Sequence, residues 1–530
     1  MKRTADAVIV GAGITGLAIA REMAKRGASS IMIVDPNPPM TLTSAYSTEC
    51  YRDVWHNPSM AALVSRSIDL MEILSDESDN AFGFRTHQHG YLFVSDVPDS
   101  GPNHHFNEFA NGSTATAVRH HRDPTSDDHL LSLGSDVHNK DGIDLLWGSD
   151  VVAKSFPHVH AQSALHARRA GWIDAQQLGR YLLDDVERMG GVVKKDELVS
   201  MERDSNTGAV ISVRLKSSGE DIHTSTVINA AGPFSGALSQ LLLPSLPAPN
   251  FTNELHAKVI FRDQQKIVPS DSPMVILGDK TTIPWTEEEN EWIDDLRMVP
   301  EEMAEAGLSK WLGSNLPSGC HVRPASSGFN VALWEYAHHD RPLNIHTGTQ
   351  EEEAMNEKNN SQQQLNVKCI MPTFYDEHVI TKIDPLYSEM TLRALSLFIP
   401  RLSEYVGVLG GNDIFTDGGY YTYAPDRMPV LGEVSEVPGY FMACGVAGYG
   451  IMAAMGVAEL ICDQREGKRQ RNEEYNAFDP NRLFDPTQRK KMEQSKTIQL
   501  DLPFTSINIL KRFLLSSVST VICVTARTHD

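Results

Sequence analysis

The chain has few cysteines and no excess of positive charge. Cys50, Cys320, Cys369, Cys444, Cys462 and Cys523 are scattered, with no CxxC pair and no zinc-like spacing. That pattern excludes a disulfide scaffold or a zinc ribbon, and free thiols in a reducing compartment are expected. Lys and Arg number 47 against 69 Asp and Glu, for a net charge of −22. A general nucleic-acid binder would need a clustered basic surface, and the short run Gly467–Arg471 ("GKRQR") does not supply one. No internal repeat is visible. Residues 1–13 run straight into a motif, so no targeting segment is expected and a cytoplasmic location is the default.

Long apolar runs are scarce too. From Tyr440 to Ala458, nineteen residues carry no charge, but Gly445, Gly448, Gly450 and Gly456 interrupt them. The length approaches the ~20 residues a membrane helix needs, while the glycines point to close backbone contact. The C-terminal run 513–526 is fourteen residues, too short to span comfortably. No membrane span is expected.

The remainder is ordinary globular composition, 41% hydrophobic and 22% charged, in a chain long enough for two or three domains. Ala7–Val10 is a short β-branched run, followed by Gly11-x-Gly13-x-x-Gly16, helical spacing through Leu17 and Met23, and a second apolar run ending at Asp35. This is a βαβ unit. Gly11 permits a tight turn, Gly13 lets backbone approach a pyrophosphate, and Gly16 lets helix and strand pack closely. The helix N-terminus favours phosphate, and Asp35, nineteen residues beyond Gly16, would accept hydrogen bonds from a ribose. Helices are predicted over 61–74, 174–191 (N-cap Asp174, breaker Gly190) and 389–399, and strands over 224–234, 256–263, 272–279 and 329–337. Residues 95–150 read as polar loops or an insertion, and 347–364 as a flexible surface insertion.

After Asp35 the segment 41–55, "TLTSAYSTECYRDVW", offers the hydroxyls Ser44, Ser47 and Thr48, then Arg52. Here the sequence resembles the D-amino-acid-oxidase-like family of FAD-dependent oxidoreductases, which includes sarcosine oxidase, dimethylglycine dehydrogenase and glycine oxidase. "GWIDAQQLGRYL" (171–182), "VINAAGPF" (227–234), "GGYYTYAPDRMPVLG" (418–432) and "GVAGYGIMAAMG" (445–456) match its other segments in the expected order. Ala424 and Tyr449 depart from it, standing where threonine and histidine are common.

The resemblance implies an α/β protein: a Rossmann-like FAD-binding domain built from 1–85, 150–245 and 405–480, and a substrate domain on a mainly antiparallel sheet from 86–149 and 246–404. A tail would cover 481–530. It implies non-covalent FAD held by Gly11, Gly13, Ile14, Thr15, Gly16, Asp35, Ser44, Ser47, Thr48, Leu198, Ala230, Gly232, Gly448, Tyr449, Gly450, Ile451 and Met452. Cys50 is a weak candidate for a covalent link. A helix starting near Gly448–Gly450 would aim its N–H groups at reduced flavin. The implied reaction oxidises a C–N bond of an amino acid or a secondary or N-methyl amine, with oxygen or an acceptor protein as electron sink.

Arg52, Lys258 and Arg323 are the candidate catalytic cations for a carboxylate-bearing substrate, in that order, with Tyr449 as a further candidate. His256 reads as a satisfied polar residue, and Tyr336, Tyr420 and Tyr421 as possible pocket walls. No second GxGxxG appears, which disfavours an NAD(P)H domain. Two alternatives stay open: flavin-dependent oxidation of a C–O bond, and a low-turnover flavin-binding assembly factor.

Overall fold

The computed structural model describes residues 3–129, 141–247, 249, 251–297, 314–335, 383, 386–468 and 473–494. The expected insertion 347–364, Tyr336 and the apolar run 513–526 lie outside the described residues.

Strand β1 (Ala7–Val10) and strand β2 (Ile31–Asp35) flank helix α1 (Ile14–Lys25). Both strands are short and buried on both faces, as parallel strands covered on each side must be. With β3 (Val227–Asn229) they form the middle of a six-stranded sheet, in the order Val192–Lys195, β2, β1, β3, Tyr440–Cys444, Val430–Glu433. All neighbours are parallel except the last pair. Side chains alternate between two layers. Ile9, Ile33 and Ile228 face a helical layer; Val8, Met32, Val34 and Val227 face a four-stranded sheet that includes Leu198–Arg203 and Val210–Leu215.

The helical layer holds α1, α2 (Pro58–Glu77), α3 (Ala175–Arg188) and α4 (Gly450–Arg465). Asp174 caps α3 by accepting from the Gln177 N–H at 2.9 Å, and Gly190, at φ 92°, ends it. Helix α4 packs against both α1 and α2, and residues Ile451–Ala458 are all buried. A helix that is apolar all round must be buried in something, and here that is protein. Among the described residues, no helix is long and apolar enough to cross a membrane.

The second body is a nine-stranded sheet. Its order is β5 (Ile414–Tyr423), β4 (Thr252–Arg262), Phe329–Leu333, His321–Pro324, Met274–Leu277, Tyr91–Ser95, Ser163–Ala167, Ile143–Trp147, Val118–His121. It is antiparallel except where Met274–Leu277 meets Tyr91–Ser95 and Val118–His121 meets Ile143–Trp147. Several expected boundaries shift as a result. Ser163–Ala167 and β5 belong to this sheet, although they fall within stretches assigned to FAD binding. Residues 95–150, read as polar loops or an insertion, supply two of its strands. Ile143–Trp147 is wholly buried, Asp144 included, because that carboxylate is ion-paired. The expected tail begins too early, since Arg482 is buried and holds Asp426 at 2.7 Å.

Gly456 lies where α4 crosses α2, and a Cβ there would approach the Leu63 carbonyl oxygen to 2.6 Å. Gly456→Ala should therefore force the helices apart, outweighing the better helix propensity of alanine. A loss of about 1–3 kcal/mol is expected, read as a lowered Tm in thermal unfolding.

Candidate functional site

The turn between β1 and α1 is built without side chains. Gly11 adopts φ 110°, and a Cβ there would stand 2.3 Å from the Ala230 carbonyl oxygen just beyond β3. At Gly16 a Cβ would meet the Gly11 carbonyl oxygen, so helix and turn are in direct backbone contact. Gly13 is the N-cap of α1 and offers no capping side chain; the first turn carries no acid. The Ile14 N–H instead donates to Ser44 Oγ at 3.2 Å. Asp35 ends β2: its carboxylate accepts from the Ala12 and Asn37 N–H groups, each at 2.8 Å. Burial pushes that carboxyl above its ordinary range.

From Asp35 a cleft partly open to solvent runs along α1, the 41–47 loop and the end of β3 to the start of α4. At that far end Tyr440–Cys444 gives way to Gly445 at φ 66°, then Ala447 at φ 47°. A non-glycine residue in the left-handed region is strained, and it is held there at the cleft wall. Helix α4 then begins at Gly450, again with no side-chain cap and no acid in its first turn. Two helix N-termini thus open on one cleft, each presenting N–H groups that the helix itself cannot satisfy. This donor set fits a dinucleotide diphosphate near α1 and an electron-rich group near α4.

The far end is lined by Tyr420, Tyr421 and Thr422 of β5, and on the neighbouring strand β4 Glu254, His256 and Lys258 follow at every second residue, outside that lining. The Lys258 ammonium donates to the Ser47 carbonyl at 3.2 Å and lies 3.5 Å from Asp417, and burial pushes its pKa down. Arg323 donates to the Thr48 carbonyl and to Glu49, each at 2.9 Å, and to the Pro324 carbonyl at 3.1 Å. Glu49 is raised by burial, offset in part by Arg323. These cations fasten the loop that lines the cleft to the sheet that covers it. His256 is enclosed by Glu335 at 2.7 Å and Glu254 at 3.7 Å; burial would lower its pKa, but the two carboxylates together raise it to about 9.

Of the expected cofactor residues, Gly11, Gly13, Ile14, Thr15, Asp35, Ser44, Ser47, Ala230, Gly232, Gly448, Gly450 and Ile451 line the cleft. Five do not. Gly16 packs against the turn, Thr48 is turned to Arg323, and Leu198 and Met452 are core side chains. The Tyr449 ring is buried edge-on to Trp55 at 5.0 Å, outside the cleft lining. The backbone of the 445–451 turn faces the cleft, and the ring is carried behind it. Arg52, Lys258 and Arg323 are all outside the lining; Arg52 is buried with its guanidinium over Trp55 at 4.3 Å. Cys50 is buried against Met274, and burial raises its thiol, which does not suit a covalent link. The Glu254 and Glu335 partners of His256 went unrecognised in the sequence, because a lone acid on a strand carries no pattern.

His129, Asp144 and His166 converge elsewhere, at the opposite side of the nine-stranded sheet. Asp144 is already engaged by Arg119, Arg168 and His121, which outweigh its burial and hold it far below the carboxylate range. A divalent cation there would sit beside two guanidinium groups, so the cluster reads as a buried ion network.

A βαβ half-site and a second sheet closing over one long cleft define a dinucleotide-binding oxidoreductase with a separate substrate-bearing sheet. The sequence model of the FAD dependent oxidoreductase (DAO) family matches residues 6–291 and 344–464, and the chain belongs to that family. FAD is its cofactor. No curated protein sequence matches the chain. Among solved structures, L-proline dehydrogenase from P. horikoshii is similar at TM-score 0.60 and 16% identity, covering 91% of this chain and 98% of that one. Glycine oxidase from Geobacillus kaustophilus follows at TM-score 0.58 and 14% identity, covering 90% and 98%. L-amino acid deaminase from Proteus vulgaris stands at TM-score 0.59 and 15% identity, covering 91% and 97%. At these identities the likeness is one of fold.

Asp35→Ala removes an acceptor from two backbone N–H groups at the adenosine end. It should weaken FAD binding by about tenfold or more, measured by fluorescence titration of the apoprotein with FAD.

Proposed function

We propose that the protein oxidises a C–N bond of an amino acid or of a secondary or N-methyl amine. The imine product would hydrolyse in water, and oxygen or an acceptor protein would take the electrons. The observation that carries this reading is the cleft onto which two uncapped helix N-termini open, lined at its far end by Tyr420, Tyr421 and Thr422 of β5. Bound FAD supplies the two-electron chemistry. The chain's own residues hold, orient and shield.

Gly11 to Thr15, with Ser44 and Asp35, would hold the adenosine diphosphate. Gly448 to Ile451, Tyr421 and Ala230 to Gly232 would hold the ring end. The start of α4 would favour negative charge arriving there, with no side chain needing to move. Lys258 would act from behind Ser47, since a buried lysine with a lowered pKa beside a cleft is a functional candidate. Arg52, with its guanidinium over Trp55, stays a candidate cation for a carboxylate-bearing substrate. Names of the three structural relatives, which speak of proline, glycine and amino acids, support C–N over C–O chemistry. Cys50, Cys320, Cys444 and Cys462 are free buried thiols, which supports a reducing, cytoplasmic setting. The inert state of Cys50 supports non-covalent FAD.

The purified protein should be yellow. Its flavin absorbance should bleach anaerobically with at least one member of an amine and amino-acid panel. Bleaching by 2-hydroxyacids alone would replace this reading with C–O oxidation, and a spectrum unmoved by both panels would sink the enzyme reading. Lys258→Met should keep FAD bound yet slow substrate-driven reduction or reoxidation by about tenfold or more in stopped-flow measurements.

A further inference from the structure

His256 is buried on β4 between two carboxylates. Glu335 stands 2.7 Å from Nδ1, Glu254 is 3.7 Å from Nε2, and the Tyr423 hydroxyl is 3.3 Å from the same nitrogen. Nδ1 donates to Glu335, and with Glu254 facing Nε2 as well the ring sits between two carboxylates that together favour the imidazolium. The ring lies flat on Tyr421, with centroids 4.1 Å apart and planes 19° apart. On the cleft side Tyr421 packs against Gly448, where a Cβ would come within 2.9 Å of the phenol ring. Tyr421 itself lines the cleft beside the start of α4. Glu254, in turn, is fixed by Arg427 at 2.7 Å, and the Arg427 guanidinium lies 4.3 Å over the Tyr423 ring.

We propose that His256 is a positioning residue for the substrate end of the cleft: held as an imidazolium by Glu254 and Glu335, it clamps the Tyr421 ring against Gly448 and so fixes the wall that flavin and substrate meet. The inference rests on the reading of this cleft as the FAD site. A cation stacked on a desolvated phenol face is attracted by the ring quadrupole, which holds the ring in place. The clamp acts through Tyr421, since His256 does not line the cleft.

The charged and titratable groups around His256 are Glu254 and Lys258 on its own strand and Glu335 after Phe329–Leu333. Tyr421 and Tyr423 face it from β5, with Arg427 in the turn beyond and His321 on the His321–Pro324 strand, kept toward its neutral form by burial. Because the pKa is raised, the clamp is complete below the ordinary imidazole range and is lost as pH rises through about 9.

The test uses the FAD-loaded full chain, following flavin visible circular dichroism from about pH 7 to about pH 10. Wild type should show a transition near pH 9 that His256→Gln lacks. His256→Gln should raise the half-saturating amine concentration about tenfold while leaving FAD affinity within about threefold. Tyr421→Leu should abolish the same transition, and the double variant should add nothing further. Persistence of the transition in His256→Gln, or additive effects of the two substitutions, overturns the proposal. Should His256→Gln not retain FAD, ¹⁵N shifts of the His256 ring in wild type decide instead. Their midpoint must coincide with the flavin transition, and a ring neutral at pH 7 also overturns it. A wild-type protein that binds no FAD fails earlier and refutes the cleft assignment itself.

Discussion

The backbone contact between the Gly11 turn and the end of β3 is the constraint on which the rest of the molecule depends. Ala230 brings its carbonyl so near Gly11 that no Cβ fits, and Gly16 closes on Gly11 from the other side. Three strands and a helix are thereby locked at atomic contact where they meet, at the carboxyl ends of β1 and β3. That is the place where an open parallel sheet leaves a crevice. The start of α1 is left facing it with no capping side chain and no acid in its first turn. Every later element either extends that crevice or covers it.

Helix α4 extends it. The chain returns to the sheet after some two hundred residues, as Tyr440–Cys444 pairs with β3, so the second helix N-terminus arrives beside the first. The turn that makes this possible carries strain at Ala447 and close approach at Gly448. Burial of α4 between α1 and α2 holds the strained turn in place, and Gly456 lets the helices come that close. The uncharged stretch is therefore a packing requirement of the cleft's far wall.

The covering sheet is attached through buried charge. Lys258 and Arg323 reach across to main-chain carbonyls of Ser47 and Thr48, with Asp417 and Glu49 balancing them. Burying two cations and half-burying their two carboxylates costs desolvation that their mutual attraction only roughly offsets. What such pairs provide is a defined register between loop and sheet, and here the loop is the one that lines the cleft. The same face carries the Glu254–His256–Glu335 cluster. Cations that look free for substrate in a linear reading are thus partly consumed in holding the two bodies together.

The amino-acid sequence by itself determined the βαβ unit, the glycine positions of both turns, the acid ending β2 and the order of the family segments. These are local: spacing, β-branched runs and glycine conformation act within a few residues. It also determined that Tyr440–Ala458 is apolar. It left undecided whether that apolarity faces lipid or protein, because hydropathy does not name a neighbour. Tertiary structure decided the strand membership of 95–150, the inward burial of Tyr449 and the pairing of Lys258 and Arg323. It also decided the company of His256. Each of these depends on residues far apart in the chain, such as Asp144 with Arg168, Lys258 with Asp417 or His256 with Glu335. A side chain's charge, direction and usefulness follow from such partners, and only the folded arrangement supplies them.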